Sequence, residues 1–127
     1  MKFFSLFVAI MCGFLSKAQT ADTLQRQFLA IMRLNEKYTH QENWTAADQQ
    51  IIQEHAQHLT KYKNEKVIIL AGRTDYTADH PDIMGLIIFN SKNQGEAEQF
   101  IQTDPAVKYK IMAAQVHPYR IAVSICD

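Results

Sequence analysis

Two polar side chains fall where the surrounding pattern favours apolar ones. On a helical wheel, His55 lies at the centre of the apolar side of one predicted helix. Asp104 follows Ala97 at a spacing of two helical turns and continues the apolar side of a second predicted helix. A carboxylate beside an imidazole can hold it in one tautomer and suit it to proton transfer near neutral pH. The sequence therefore predicts a catalytic His–Asp pair in which His55 moves the proton and Asp104 orients and stabilises the imidazolium.

Both residues also have a purely structural interpretation. A histidine on an apolar helix face is commonly a hydrogen-bonded core residue. Asp104 precedes Pro105, and Asp-Pro is typical of an N-terminal cap followed by the first residue of a helical turn. The alternative hypothesis is a non-catalytic module that binds a small molecule, in which the His–Asp pair is structural.

Arg73 is a candidate for substrate binding. It follows Gly72 at the end of a predicted strand, where its guanidinium could bind a carboxylate or enolate in two-point fashion. The alternative is a surface arginine paired with an acidic residue of the next loop, at Asp75, Asp79 or Asp82.

Other chemistries have weaker support. His55 and His58 lie one turn apart and His117 could join them, so a three-histidine zinc or copper site is conceivable. The sequence has no Cys cluster, no His-Glu-x-x-His motif and no EF-hand pattern, so we expect no metal. It also lacks a Gly-x-Ser-x-Gly motif and a glycine-rich phosphate loop, so we expect no serine nucleophile of that type and no cofactor.

The first 18 residues resemble a secretory signal. Lys2 precedes the apolar run 3–15, and small residues stand at Ser16 and Ala18. The run is too short to span a membrane, so we expect cleavage after Ala18, export to the periplasm or medium, and no stable membrane anchor. Cleavage removes Cys12 and leaves Cys126 as the single cysteine of a chain without internal disulfides.

We predict that residues 19–127 form one domain. The composition of the chain limits which classes of protein it can belong to. The full sequence has 127 residues and balances 13 basic against 13 acidic side chains. A net charge of zero does not favour nucleic acid as a partner. The apolar share of 47% excludes a disordered chain.

The predicted elements alternate between strands and helices. Continuous or alternating apolar runs predict four strands, and capping residues with helical periodicity predict two helices and one further turn. In chain order these are strand 28–34, helix 45–64, strand 67–71, a loop over 73–82, strand 83–89, helix 91–103, a turn starting at 104–105, and strand 116–125.

This order is βαββαβ, which defines a ferredoxin-like α+β fold with a four-stranded antiparallel sheet. Strands 28–34 and 83–89 are apolar on both faces, and the fold places these two at the centre of the sheet. Two helices can cover only one face. The other face needs a partner, and we expect a homodimer formed face to face.

The chain also resembles the YCII family. The resemblance rests on His55-Ala56-Gln57-His58-Leu59, a strand ending in Ala71-Gly72, the strand 85–89, and Thr103-Asp104-Pro105-Ala106. It runs from about Phe28 to Val123, and the 17-residue spacing from His55 to Gly72 matches the family's motif. The resemblance implies a dimeric α/β barrel with a His–Asp pair in a cleft beside the sheet. Some relatives are linked to dehydrochlorination or isomerisation of ring compounds.

Three features of the chain depart from the family pattern. They are the export signal, a longer segment before the first helix, and Arg73-Thr74 where many members have proline.

Overall fold

The computed structural model describes residues 25–125. The predicted signal 1–18 and the predicted terminal thiol Cys126 lie outside the described residues. The described elements are β1 (Arg26–Leu34), two 3₁₀ helices (Glu36–Thr39 and Gln41–Asn43), α1 (Ala46–Asn64), β2 (Ile68–Arg73), β3 (Gly85–Ser91), α2 (Gln94–Gln102), α3 (Pro105–Lys108) and β4 (Met112–Tyr119).

The four strands form one antiparallel sheet in the order β2-β3-β1-β4. The ferredoxin-like fold class is confirmed, and β1 and β3 are the two central strands, as predicted from their apolar composition. Antiparallel pairing places the C-terminal ends of β1 and β2 at the same end of the sheet as the N-terminal ends of β3 and β4. This shared end is where the candidate site lies.

The helices pack on one face of the sheet. Alternate residues of β1, at Phe28, Ala30 and Met32, are buried together with Ile87 and Phe89 of β3. Against them pack the buried side chains Ala97 and Ile101 of α2, with partly buried Leu59 and Tyr62 of α1. The period-2 alternation of the strands thus separates a core face from a second face.

The second face of the sheet carries apolar side chains and no described helix. Leu29 and Ile31 of β1 alternate with the core residues and are half-buried, as is Ile88, which pairs with Leu29. Leu70 of β2 pairs with Ile88 and is 55% exposed. A further finding is that no helix within residues 25–125 is long and apolar enough to cross a membrane.

The helical boundaries follow local capping chemistry. Thr45 accepts a hydrogen bond from the backbone N–H of Asp48, and the Asp48 side chain accepts one from the backbone N–H of Thr45. This reciprocal capping box starts α1, which ends at Asn64 as predicted. Asn93 caps α2, so that helix begins later than the predicted residue 91.

All four strand predictions differ from the observed strands at their boundaries: β1 begins at Arg26 and not at 28, and β3 covers Gly85–Ser91 and not 83–89. β4 covers Met112–Tyr119 and not 116–125, because its partner β1 extends only to Arg26 and pairing ends at Gln27 opposite Tyr119. Val123 and Ile125, near the end of the predicted strand, lie beyond β4 and are 91% and 96% exposed. β2 continues through Gly72 to Arg73 because residues 71–73 pair with residues 85–87 of β3.

Candidate active site

A cavity of about 580 Å³ opens between α1 and the shared end of the four strands. Each of the four strands contributes a residue to its wall, and α1 forms another side. The strand residues include Met32, Arg73, Gly85 and Met112. The volume is within the usual range for small-molecule sites. The apolar side chains on its wall are Met32, Leu34, Ile52, Leu59, Ile83, Met84, Leu86, Ile87 and Met112.

His55 lies on the wall of this cavity and is held by Asp104. The Nδ1 atom of His55 is 2.8 Å from both Oδ1 and Oδ2 of Asp104. The His55 side chain is 15% exposed and that of Asp104 is 2% exposed, so the contact is shielded from water. The structure therefore brings the two predicted residues together. Asp104 does not continue α2 as predicted, because that helix ends at Gln102 and Asp104 has the extended backbone of the N-cap of α3.

Asp104 has two structural functions at once. Its Oδ1 also accepts a hydrogen bond of 2.9 Å from the backbone N–H of Ala106, which caps the short helix α3. The cap immobilises the carboxylate because its position is set by the backbone of the helix that it starts. The two interpretations of Asp104 that the sequence left open, cap and histidine partner, are both present in the structure.

The hydrogen bonding determines which ring nitrogen of His55 can do chemistry. A carboxylate only accepts hydrogen bonds, so Nδ1 carries the proton in the contact with Asp104. In the neutral imidazole, Nε2 then has the lone pair, and no residue in the range 25–125 forms a hydrogen bond with it. The ring is thus arranged to accept a proton at Nε2 and to share the resulting positive charge with Asp104.

Arg73 lines the same cavity. It pairs with Gly85 across β2 and β3, on the core side of the sheet with Ala71. Arg73 is exposed, as the surface alternative requires, but it forms no ion pair with Asp75, Asp79 or Asp82 within the described part of the chain.

The charge on the cavity wall has one sign. Among the described residues that line it, Arg73 is permanently cationic, His55 can become cationic, and none is acidic. The cavity wall therefore favours an anion or a group that becomes anionic during reaction, and because Arg73 is exposed its attraction acts partly through solvent.

His58 lies outside this arrangement. Its ring packs against Tyr62 and Phe100, with centroid distances of 4.7 and 6.0 Å. Burial lowers the pKa of His58 by disfavouring its charged form, against the opposing effect of the Asp104 charge. His55, one turn earlier, is the histidine that reaches both Asp104 and the cavity.

The structure does not bring the three histidines His55, His58 and His117 together. His117 pairs with Leu29 on the second face of the sheet, whereas its neighbour Val116 packs against the core. His117 is therefore separated from His55 by the sheet itself. Within residues 25–125, no group of three metal-ligating side chains lies close enough together to hold an ion.

Three polar or aromatic residues of the wall were missed by sequence reasoning. Gln41 and Trp44 come from the segment between β1 and α1, and Gln49 comes from the first turns of α1. On a helical wheel, Gln49 falls on the polar side of α1, which is the side that typically faces solvent. The only available signal was Trp44 itself, the single tryptophan of the chain, placed directly before the Thr45 cap.

The fold and cavity together define a ferredoxin-like α+β domain with a small-molecule pocket at one end of its sheet. The model of the YCII-related domain matches residues 27–118, which is most of the chain. The chain therefore belongs to the YCII-related family. A comparison with curated proteins gives no significant match.

A solved structure has the same fold. It is 5-chloro-2-hydroxyhydroquinone dehydrochlorinase (TftG) from Burkholderia phenoliruptrix AC1100, in complex with 2,5-dihydroxybenzoquinone. The two chains superpose with a TM-score of 0.50 at 20% sequence identity, over 74% of this chain and 93% of that one.

Proposed function

We propose that the protein is a cofactor-independent enzyme that uses the His55–Asp104 pair for acid–base chemistry on a small molecule. One observation carries the proposal. The pair presents an unpartnered Nε2 to an apolar cavity in which Arg73 is the only permanent charge among the described lining residues. Desolvated acid–base groups with a fixed partner are characteristic of catalytic sites.

The proposed reaction begins with proton abstraction. Nε2 of His55 removes a proton from a carbon next to a carbonyl group, and the C–H electron pair moves to form an enolate. Arg73 stabilises the negative oxygen, and Asp104 stabilises the imidazolium. In an elimination, the returning electrons form a carbon–carbon double bond and the leaving group departs with its bonding pair. In an isomerisation, His55 returns the proton to a different carbon.

The name of the solved relative suggests where to look first for a substrate. TftG is a dehydrochlorinase, and loss of HCl from a ring compound is an elimination of the kind written above. Halogenated and hydroxylated cyclic carbonyl compounds are therefore the first class to test.

We also propose that the protein acts as an exported homodimer. The apolar second face of the sheet, with Leu29, Ile31 and Ile88, is of the kind that a second copy covers in a face-to-face dimer. The signal-like pattern of residues 1–18 supports export.

The test is a turnover screen with the full chain. A panel of halogenated and non-halogenated cyclic carbonyl compounds is incubated in D₂O, and halide release and deuterium incorporation into the compound are followed. His55→Gln should lower the rate of any turnover by about 10²–10⁴-fold, the usual contribution of a general base. The matched control is His58→Gln, one helical turn away, which should leave the rate nearly unchanged because His58 does not line the cavity.

Equal loss in the two variants, or none in His55→Gln, would contradict the assignment of His55 as the base. The competing function, a non-catalytic binding module, predicts a different pattern. Compounds from the panel would bind in the cavity without turnover, and His55→Gln and Asp104→Asn would alter stability only.

A further inference from the structure

The segment between β1 and α1 contributes an aromatic wall to the cavity. This segment runs from residue 35 to residue 45 and contains both 3₁₀ helices. It places the half-buried side chain of Trp44 on the cavity surface, together with Gln41.

Trp44 is held rigidly by a chain of hydrogen bonds. Its Nε1–H donates to the backbone carbonyl of Tyr38 at 2.9 Å, and the two rings pack edge to face with centroids 5.1 Å apart. Tyr38 is buried, and its hydroxyl donates to Oδ1 of Asp48 at 3.2 Å. Asp48 in turn belongs to the capping box that starts α1. The indole is thus anchored to the same helix that carries His55.

This anchoring determines what Trp44 can offer a ligand. The indole N–H is its only hydrogen-bond donor, and that donor is bound to Tyr38. What remains available is the flat ring surface. Such a surface favours planar, conjugated groups, since offset-stacked aromatic pairs gain energy beyond the area that they bury.

The charge of the cavity selects between two kinds of partner for that ring. Tryptophan faces also attract cations. A cationic ligand would be repelled by Arg73, and no described lining residue is acidic to compensate. A planar ligand with an anionic group satisfies both Trp44 and Arg73.

We propose that Trp44 is a specificity-determining residue of this cavity, where its indole ring stacks on the conjugated part of a planar anionic ligand. The inference rests on the proposed function in one respect, that the cavity is the ligand site. It adds the shape of the ligand and the residue that selects it.

Two probes of equal charge and similar size separate planarity from other properties. Benzoate is planar and conjugated, whereas cyclohexanecarboxylate is a puckered saturated ring with the same carboxylate. Dissociation constants of both are measured by calorimetry with the full chain. Benzoate should bind about 2- to 12-fold more tightly, the range expected for an aromatic pair.

Substitutions then assign the preference to one residue. Trp44→Leu should bring the ratio of the two dissociation constants close to one, and Trp44→Phe should retain part of the preference. Tyr109→Leu is the matched control, because Tyr109 is an aromatic residue that is 52% exposed and does not line the cavity. Its ratio should equal that of the wild type.

A spectroscopic readout keeps the proposal testable if Trp44→Leu does not fold. Trp44 is the only tryptophan in the chain, so intrinsic tryptophan fluorescence reports on it alone. Benzoate should change that fluorescence more than cyclohexanecarboxylate does at equal occupancy. The ring protons of benzoate should also shift upfield in the NMR spectrum on binding. The proposal is overturned if the wild type does not bind benzoate, if it binds both probes equally, or if a folded Trp44→Leu keeps the wild-type ratio.

The outcome is independent of catalysis. The probes undergo no reaction, so their dissociation constants report binding alone. If the preference depends on Trp44 but no turnover is found, only the proposed enzymatic function fails. If turnover depends on His55 and the preference is absent, only the Trp44 inference fails.

Discussion

Replacement of Asp104 by asparagine separates the two functions of this residue. Asparagine caps helices about as well as aspartate does, so its oxygen can keep the hydrogen bond to the backbone N–H of Ala106. Its amide NH₂ then faces Nδ1 of His55, where the carboxylate had accepted a hydrogen bond. An amide NH₂ in place of Oδ2 cannot pair with an Nδ1–H, which favours the Nε2–H tautomer, whereas the retained Oδ1, also 2.8 Å from Nδ1, still accepts from an Nδ1–H.

The expected magnitudes follow from these contacts. Asp104→Asn loses a shielded, charge-assisted hydrogen bond but keeps the cap, so the free energy of unfolding should fall by about 1–3 kcal/mol. Asp104→Ala loses the cap as well and leaves the His55 Nδ1–H unpaired, so it should lose about 2–5 kcal/mol. The coupling between Asp104→Asn and His55→Gln in a double-mutant cycle should be at least about 1 kcal/mol.

Two assays check this reasoning. Urea unfolding of the four proteins in the cycle gives the coupling energy, and ¹⁵N NMR of the imidazole gives the tautomer. The wild type should show a proton on Nδ1 and none on Nε2 at a pH where the ring is neutral, and Asp104→Asn should show a larger share of the Nε2–H tautomer. A wild-type Nε2–H tautomer, or a coupling energy below about 0.3 kcal/mol, would refute the pairing derived from the structure.

Three further predictions concern the cavity, the sheet and pH. Gly85→Val should fold, because a Cβ at this position meets Met32 Cβ at an ordinary contact distance of 3.5 Å. The methyl groups of the valine should enter the cavity and weaken benzoate binding in calorimetry, and an unchanged affinity would contradict this prediction. Ile31→Glu should convert the proposed dimer to a monomer in light scattering, since it buries a charge in the apolar face; an unchanged mass would exclude that interface. The pKa of His58 is lowered in the folded protein, so as pH falls the unfolded chain binds this proton first and the free energy of unfolding should decline below the ordinary value of 6.5. His58→Gln should make that decline shallower in urea titrations at pH 7.5 to 5. An identical slope in the variant and the wild type would contradict the shift.

Much of the fold could be predicted because its signals are local. The Thr45 cap and the helical periodicity after it located α1, and Asp-Pro located the start of α3. The doubly apolar strands identified the centre of the sheet. Strand ends were less predictable. β4 stops at Tyr119 although the apolar alternation continues to residue 125, because a strand ends where its partner ends, and the last pair, Gln27 with Tyr119, is 92 residues apart in sequence.

For the candidate site, too, the sequence predicted some features and the tertiary structure decided the others. Helical periodicity placed His55 on the inward face of α1, since the direction of a helical side chain depends on its position along the helix. Asp104 lies beyond the end of α2, and its direction is set by its role as the N-cap of α3. The contact between them, the choice of Nδ1, the placement of Arg73 without an ion pair and the aromatic wall at Trp44 were decided by tertiary structure. Each of these depends on distances between segments that are remote in sequence. A periodic pattern specifies which way a side chain points, and only the packed chain specifies what it meets there.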